Sequence, residues 1–319
     1  MRYDAAPLQG ITNYVYRGVH RRLFGGADRY FTPFYSPTKE HLFTPREYRE
    51  LCPEHNEGVP VVPQILVRNP ADFLWAARAL RELGYAEINL NLGCPAGTVT
   101  AKGKGSGFLA HPQELDAFFD TVYAAMPDLN LSVKTRLGLH QEEEFPTLLE
   151  IYNRYPITEL IIHPRLQQDF YKGTVRLEAF AQALKGCRMP VCYNGDLVTV
   201  DDCDAFCEKF PQIQALMIGR GLIADPALMR KLRGGKGATV EELRTLTQTL
   251  YATYCRDFDS RGNAAQRMKE TWFYLIHLFE NGEQYAKKMR RCASPPEYER
   301  LEAEIYRDLT LRSEACGPF

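Results

Sequence analysis

A chain of 319 residues that is 45% hydrophobic can bury a full core, enough for one large domain and a smaller one. Its formal net charge of −1 excludes a strongly basic composition of the kind found in many nucleic-acid-binding proteins, although residues 230–319 carry 16 basic against 13 acidic side chains. The nine cysteines form no C-x-x-C pair, so no metal site or disulfide framework is predicted, and without a signal peptide or membrane-spanning run the expected location is the cytoplasm.

Short β-type runs alternate with helical patterns from the N-terminus to about residue 233. The predicted strands are Tyr3–Ala6, Arg29–Phe34, Val61–Leu66, Ala86–Leu90, Leu131–Thr135, Leu160–Ile162, Val191–Tyr193 and Ala215–Ile218. The predicted helices are Thr12–Phe24, Pro45–Leu51, Pro70–Leu83, Pro112–Ala125, Glu143–Tyr155, Arg176–Leu184, Val200–Lys209 and Pro226–Arg233. This alternation predicts an α/β fold in which residues 1–233 form a parallel (β/α)8 TIM barrel.

The composition changes after the barrel segment. The glycine-rich stretch 234–239 reads as a linker, and beyond it the β-type runs stop. Charged segments with helix-like spacing follow: Glu241–Phe258, Ala264–Phe279, Gln284–Cys292 and Pro296–Leu311. We therefore predict a small C-terminal helical bundle as a second domain, residues 238–319.

A barrel brings the carboxyl ends of its strands to one face, where binding sites are built. The residues near or just after the carboxyl ends of the predicted strands are Pro7, Tyr35, Gln64, Asn91 with Cys94, Lys134 with Arg136, His163 with Arg165, Asn194 with Asp196, and Gly219-Arg220-Gly221. A rim without a ligand would carry scattered charge, whereas most of these side chains are hydrogen-bonding groups. The pattern predicts a ligand site.

Asn91 and Cys94 suit chemistry on a planar polar ring. An amide can hold such a ring, and a thiol with an ordinary pKa of about 8.5 is mostly protonated at neutral pH and can act as an acid. For Cys94 alone, a structural cysteine beside a Gly-Cys-Pro turn remains the alternative.

The last two strand–helix units carry Gly195 and the Gly219-Arg220-Gly221 turn. Glycines let backbone N–H groups approach an anion, and these loops predict a phosphate site, although Asn-Gly-Asp alone is also an ordinary tight turn. Lys134, near the barrel axis, could stabilise negative charge on a bound ring. Its alternative role is a salt bridge to a neighbouring carboxylate.

An ordered series of motifs lies at these strand ends: Ala6-Pro7-Leu8-Gln9-Gly10-Ile11-Thr12, Gln64, Asn91-Leu92-Gly93-Cys94-Pro95, Gly103-Lys104-Gly105-Ser106, Val133-Lys134-Thr135-Arg136-Leu137-Gly138, His163-Pro164-Arg165, Tyr171-Lys172-Gly173, Asn194-Gly195-Asp196 and Gly219-Arg220-Gly221. Through this series, which spans almost the whole length, the chain resembles the tRNA-dihydrouridine synthases, flavoenzymes that reduce uracil in transfer RNA.

The resemblance assigns roles to residues. Those expected to bind flavin mononucleotide (FMN) are Pro7, Leu8, Gln64, Lys134, His163, Arg165, Asn194, Gly195, Asp196, Gly219 and Arg220. Those expected to contact uracil are Asn91, Arg136 and Tyr171, with Cys94 as the acid. Those expected at the tRNA backbone are Lys102, Lys104, Arg267 and Lys269. Aromatic residues beside the last two, Trp272-Phe273-Tyr274, are predicted to pack in the core of the helical domain.

Three positions depart from the family pattern. The family usually has Met where this chain has Leu8, Asp where it has Asn89, and Gly where it has Pro164. Leu for Met conserves volume. The effect of Asn89 is not predictable from sequence, and Pro164 leaves the direction of the Arg165 side chain open.

The expected reaction adds hydride from reduced FMN to uracil C6 and a proton from Cys94 to C5, with NADPH or NADH as reductant. No G-x-G-x-x-G follows a predicted strand, so the nicotinamide must enter the same cleft. The expected partner is tRNA, without a membrane or an obligate protein partner. Three alternatives remain: a dihydroorotate-dehydrogenase-like enzyme for a free pyrimidine, a flavin-free sugar-phosphate isomerase or aldolase, and a non-catalytic RNA-binding protein.

Overall fold

The computed structural model describes residues 1–317. Within them the β-strands are β1 (Arg2–Ala5), β2 (Arg29–Phe31), β3 (Val61–Val62), β4 (Gln64–Ile65), β5 (Ile88–Leu92), β6 (Leu131–Gly138), β7 (Glu159–Leu166), β8 (Val191–Tyr193) and β9 (Ala215–Ile218). The α-helices are α1 (Tyr14–Leu23), α2 (Pro45–Leu51), α3 (Pro70–Glu82), α4 (Gly97–Thr100), α5 (Pro112–Ala125), α6 (Phe145–Tyr152), α7 (Leu177–Gly186), α8 (Val200–Lys209), α9 (Arg220–Ala224), α10 (Leu228–Leu232), α11 (Val240–Asp257), α12 (Arg261–Leu275), α13 (Glu283–Arg291) and α14 (Pro295–Asp308).

The strands form one parallel sheet in the order β3-β2-β1-β9-β8-β7-β6-β5-β4. Its two outer strands, β3 and β4, are consecutive in the chain and are separated only by Pro63. Proline cannot donate a ladder hydrogen bond, which is why the predicted strand Val61–Leu66 is divided there. Because β3 pairs with β2 and β4 pairs with β5, the sheet closes into the predicted TIM barrel.

Three strands are longer than predicted. β5 continues to Leu92, β6 to Gly138 and β7 to Leu166, beyond the predicted ends at residues 90, 135 and 162. The polar and charged residues that end the apolar runs continue the strands, alternating in the way that any β-strand does. Asn91, Arg136, His163 and Arg165 therefore lie within strands, beyond the predicted strand ends, and Lys134 lies inside β6 as it lay inside the predicted strand.

The helices after residue 238 share a hydrophobic core with the barrel helices. Tyr16 of α1 and Ile223 of α9 are in one buried cluster with Leu246, Met268 and Trp272 of α11 and α12. A separate domain beginning at residue 238 stays a prediction. No helix within residues 1–317 has both the length and the apolar character that crossing a bilayer requires.

Candidate active site

A cavity of about 440 Å³ lies at the carboxyl end of the barrel strands. It is lined by all the predicted catalytic, cofactor and uracil residues except Arg165, namely Pro7, Leu8, Gln64, Asn91, Cys94, Lys134, Arg136, His163, Tyr171, Asn194, Gly195, Asp196, Gly219 and Arg220. Side chains from distant parts of the chain are thus brought together. Tyr35, which the sequence placed on this rim, is instead buried against Phe43 outside the cavity.

The backbone that carries Cys94 is fixed by Asn91. The Asn91 Oδ1 atom accepts hydrogen bonds from the backbone N–H groups of Gly93 (3.0 Å) and Cys94 (2.9 Å). Its Nδ2 group donates to Gln64 Oε1 at 2.7 Å. Because a backbone N–H can only donate, the oxygen of Asn91 must face the turn, and the orientation of its amide is determined.

This hydrogen-bonded chain continues through the barrel interior. Gln64 Nε2 donates to Asn89 Oδ1 (2.7 Å), and Asn89 Nδ2 donates to Ser132 Oγ (2.9 Å). The Ser132 hydroxyl donates to Glu87 (2.7 Å), a carboxylate that is paired with Arg29. Every donor points away from Cys94 and towards Glu87. The amides of Gln64 and Asn89 therefore each have one favourable orientation.

The Cys94 thiol is partly buried at the cavity wall. Burial raises its pKa above the usual value for a thiol, although a backbone hydrogen bond at Ala96 and the positive charges of Arg136 and Lys134 oppose the rise. The thiol is therefore protonated at neutral pH, as an acid must be. The backbone carbonyl oxygen of Cys94 accepts a hydrogen bond from Ser106 Oγ at 2.9 Å. A Cβ on Gly105 would lie 2.7 Å from that oxygen, so the neighbouring loop packs closely only because Gly105 has no side chain.

Lys134 faces the cavity, and within residues 1–317 its ammonium has no hydrogen bond or ion pair. The salt bridge considered from sequence is not found there. Burial, together with the positive charge of Arg136, lowers the pKa of Lys134 to about 8. An unpaired, partly desolvated ammonium at a cavity wall suits a ligand that carries negative charge.

His163 is a neutral, fully engaged side chain. Its Nδ1 lies 2.8 Å from the carbonyl oxygen of Asn194, and its Nε2 lies 3.3 Å from the Arg165 guanidinium. The proton must be on Nδ1, because a carbonyl accepts and a guanidinium donates. Burial, together with the charges of Arg136, Lys134 and Arg165, places the pKa of His163 well below its usual value.

Arg165 lies behind the cavity. Its buried guanidinium donates to Asp196 (2.9 Å at Oδ1) and to the carbonyl oxygens of Lys172 and Gly173. Asp196, which has a φ of +46°, also accepts from Arg220 at 2.7 Å. Arg165 thus connects the turn after β8 to the loop after β7, and its predicted cofactor contact stays a prediction.

Arg136 connects the Cys94 turn to the end of β7. It donates to the carbonyl oxygens of Gly93 (2.8 Å) and Leu166 (2.9 Å). Its guanidinium lies 5.2 Å from the centroid of the Tyr171 ring, and that of Arg220 lies 5.8 Å from the same ring. Tyr171 is therefore held at the cavity mouth by two cations while it remains exposed.

The predicted phosphate turns are closely packed. A Cβ on Gly195 would lie 2.9 Å from the Tyr193 hydroxyl, and one on Gly221 would lie 2.2 Å from the Leu197 carbonyl oxygen. Neither position has room for a side chain, which accounts for glycine at both, and both residues also line the cavity.

The predicted RNA-binding residues lie outside this cavity. Lys102 is exposed, and Lys104 donates to Ser36 Oγ at 2.6 Å. Arg267 donates to the Gly10 carbonyl oxygen at 2.9 Å, and Lys269 donates to the Cys292 carbonyl oxygen. Lys102 lines one pocket, and Arg267 and Lys269 line another, so the contact of all four residues with RNA stays a prediction.

Sequence reasoning misplaced two aromatic residues of α12. Trp272 is buried as predicted, but Phe273 is 54% exposed, and both Phe273 and Tyr274 line the cavity. A hydrophobic pattern on a helix does not indicate which apolar residue meets a neighbouring cavity. Phe34, which was also missed, ends the predicted strand Arg29–Phe34 and could have been found by the strand-end rule.

Comparisons with known proteins agree with this geometry. A family model described as dihydrouridine synthase matches residues 4–309. A tRNA-dihydrouridine(16) synthase of Ralstonia nicotianae is 31% identical over 239 residues, covering 72% of each chain. Another, from Cupriavidus necator, is 28% identical over 94% of this chain and 96% of its own length.

Solved structures show a likeness in fold alone. Morphinone reductase superposes with a TM-score of 0.54 at 12% identity, covering 75% of this chain and 87% of that one. An old yellow enzyme homologue from Zymomonas mobilis gives 0.53 at 12% identity, covering 76% and 91%.

Proposed function

The chain belongs to the dihydrouridine synthase family, and from that membership and the site geometry we propose that it reduces the C5=C6 bond of uridine 16 in tRNA to 5,6-dihydrouridine. The position is taken from the names of the relatives. The observation that carries the chemistry is that Cys94 and Lys134 line one cavity, where burial raises the pKa of the Cys94 thiol and so favours its protonated form.

The family implies a flavin and a nicotinamide reductant, and the cavity suits a flavin. Leu8 and Met217 give it apolar walls for a ring system, and Lys134 gives it a positive charge for the electron-rich edge of that ring. Gly195 and Gly219 line the cavity beside Arg220, and we propose that this part of the wall holds the phosphate. We propose FMN as the flavin and NADPH as its reductant. When bound, the flavin supplies the hydride that uracil C6 accepts.

Cys94 completes the reduction by donating its proton to uracil C5. The S–H bond breaks, the C5–H bond forms, and the resulting thiolate is stabilised by the nearby charges of Arg136 and Lys134. Asn91 has one Nδ2 hydrogen left for a uracil carbonyl, because its oxygen and its other hydrogen are engaged by the protein. Its main part in the reaction is to hold the Cys94 turn.

Substitution of Cys94 tests the acid. We expect Cys94→Ala to bind FMN and to lose roughly 10²–10⁴-fold in the rate of tRNA reduction. The matched control is Cys316→Ala, since Cys316 is exposed and lies outside the cavity. Wild-type turnover by purified Cys94→Ala would remove this thiol from the mechanism.

The substrate is tested by mapping dihydrouridine in tRNA from cells that lack the gene. We expect position 16 to be unmodified, and to be restored by the wild-type gene but not by Cys94→Ala. Loss at another position would keep the activity and correct the site. An unchanged modification profile would refute the proposed function.

A further inference from the structure

A second cavity adjoins the active-site cavity along α12. It is an open groove of about 840 Å³, and Gln9, Ile11, Phe273 and Tyr274 line both cavities. We call it the α12 groove. Because the two share walls, a chain-like ligand that places one unit in the active site can extend its next unit into the groove.

Phe273 lies at the junction of the two cavities, and its aromatic ring is exposed. The side chain is 54% exposed, and it meets Tyr274 edge-on, with centroids 4.9 Å apart and planes at 86°. Single exposed apolar residues are common on proteins. Here, however, three of the seven large exposed apolar residues within residues 1–317 line these two adjoining cavities: Tyr171, Phe258 and Phe273.

The groove combines these rings with hydrogen-bonding and basic groups from one face of α12. Asn263, Gln266 and Arg267 line it at helical spacing, and Lys269 lies beside them. From Asn263 to Phe273 the helix rises about 15 Å. Aromatic platforms beside amides and cations are what single-stranded nucleic acid requires, since bases stack on the rings and cations follow the backbone.

The stacking surface is the stronger part of this site. Arg267 shares its charge with Glu270 at 2.9 Å, and Lys269 donates to a backbone carbonyl, so neither cation is wholly available to phosphate. Within residues 1–317, the ring contact of Phe273 is the edge-on contact with Tyr274, which leaves the face of the Phe273 ring without a stacked partner. Extruding a target base also unstacks its neighbours, and a new stacking partner can offset that cost.

We propose that the α12 groove is a subsite for the unpaired nucleotide next to the target uridine, with the base of that nucleotide stacked on Phe273. The inference rests on the proposed function, because it takes the ligand in the active site to be a uridine of an RNA chain. The occupant is single-stranded RNA continuous with that uridine, since the groove and the active site share their walls. Stacking tolerates any base, so the subsite recognises an unpaired nucleotide and not a sequence.

The test combines protein variants with altered RNA. Three tRNA transcripts are prepared: one with natural bases, one with an abasic site immediately 5′ of the target uridine, and one with an abasic site immediately 3′ of it. The rate of uridine reduction is measured for each and is normalised to the amount of bound flavin. We expect one abasic transcript to raise KM for wild-type protein by roughly 5- to 150-fold, with a smaller change in kcat. Phe273→Ala should raise KM for the natural transcript similarly and show no further increase with the abasic one. Phe273→Trp should restore the wild-type KM.

Tyr48→Ala is the matched control, because Tyr48 is 47% exposed and lines neither cavity. The subsite would be overturned if the increases in KM caused by Phe273→Ala and by the abasic site multiplied together. It would also be overturned if wild-type protein had the same KM for both abasic transcripts as for the natural one. In either case, normal reduction of the transcripts by wild-type protein would still support the proposed function. Wild-type protein that reduces no transcript would refute the proposed function and the subsite with it.

Discussion

At the scale of single residues, we expect Lys134 to make flavin binding depend on pH. Its pKa is lowered from 10.5 to about 8, so its charge is lost as pH rises through 8. We expect FMN affinity to be highest below pH 8 and to fall above it. Calorimetric titration of cofactor-free protein between pH 6.5 and 9.5 should show this fall for wild type and a weaker, flat affinity for Lys134→Met.

The same lowered pKa has a consequence for stability. Between pH 8 and 10.5 the unfolded chain binds the Lys134 proton and the folded chain does not, so this group makes the folded state more stable as pH rises through that window. Lys134→Met should therefore raise the melting temperature of cofactor-free protein at pH 7, while the exposed control Lys185→Met leaves it unchanged. A lower melting temperature for Lys134→Met would show that the ammonium stabilises the fold.

Asn89 belongs to the hydrogen-bonded chain that ends at the Cys94 turn. Asn89→Leu removes the acceptor for Gln64 and the donor for Ser132, and we expect a stability loss of about 1–3 kcal/mol from the unpaired buried groups. Because the Gln64 amide then loses the partner that fixes its orientation, its hydrogen bond with Asn91 is weakened, and kcat should also fall by roughly 10- to 100-fold. Denaturant unfolding and single-turnover reduction measure the two effects.

Asn89→Asp is the informative control. A carboxylate can still accept a hydrogen bond from Gln64, and it can accept one from the Ser132 hydroxyl in place of Glu87. The kcat of Asn89→Asp should therefore stay close to that of wild type. An inactive Asn89→Asp with an active Asn89→Leu would contradict the orienting role of Asn89.

At the scale of secondary-structure elements, close packing requires glycine at position 221, the second residue of α9. A Cβ at Gly221 would lie 2.2 Å from the Leu197 carbonyl oxygen and 2.8 Å from the Val198 Cα, so backbone must move. We expect Gly221→Ala to lose about 1–3 kcal/mol of stability and to weaken FMN binding.

The control lies within α1, where a Cβ on Gly18 would meet no atom within 4 Å. Gly18→Ala should gain about 0.5–1 kcal/mol, because alanine favours helix and glycine does not. Denaturant midpoints of both variants give the comparison. Equal stability of Gly221→Ala and wild type would show that the turn after β9 can relax.

The same scale shows what the sequence could predict. Alternating strand and helix patterns indicate the barrel and place Cys94 near the end of β5, because these signals are local. The bounds of β6 and β7 were predicted too short, because Arg136, His163 and Arg165 interrupt an apolar run without ending the strand. The partners of Gln64, Asn89 and Arg165 depend on register between distant strands, which no local pattern contains.

At the scale of the whole molecule, the shared core determines how the protein unfolds. Met268 of α12 is fully buried in the cluster that also contains Tyr16 and Ile223 of the barrel segment. Phe273 and Tyr274 of the same helix line the active-site cavity. The C-terminal helices therefore contribute both to the barrel's packing and to its site, and we expect one cooperative thermal transition.

Met268→Ala tests this coupling. Truncating a buried methionine costs about 2–5 kcal/mol, and in a cooperative molecule that loss lowers the single transition as a whole. FMN should raise the transition in wild type and in the variant, because a ligand that binds only the folded state stabilises everything that folds with it. Differential scanning calorimetry with and without FMN makes the measurement. Two transitions, of which Met268→Ala moves one and FMN the other, would instead establish residues 238–319 as an independent domain.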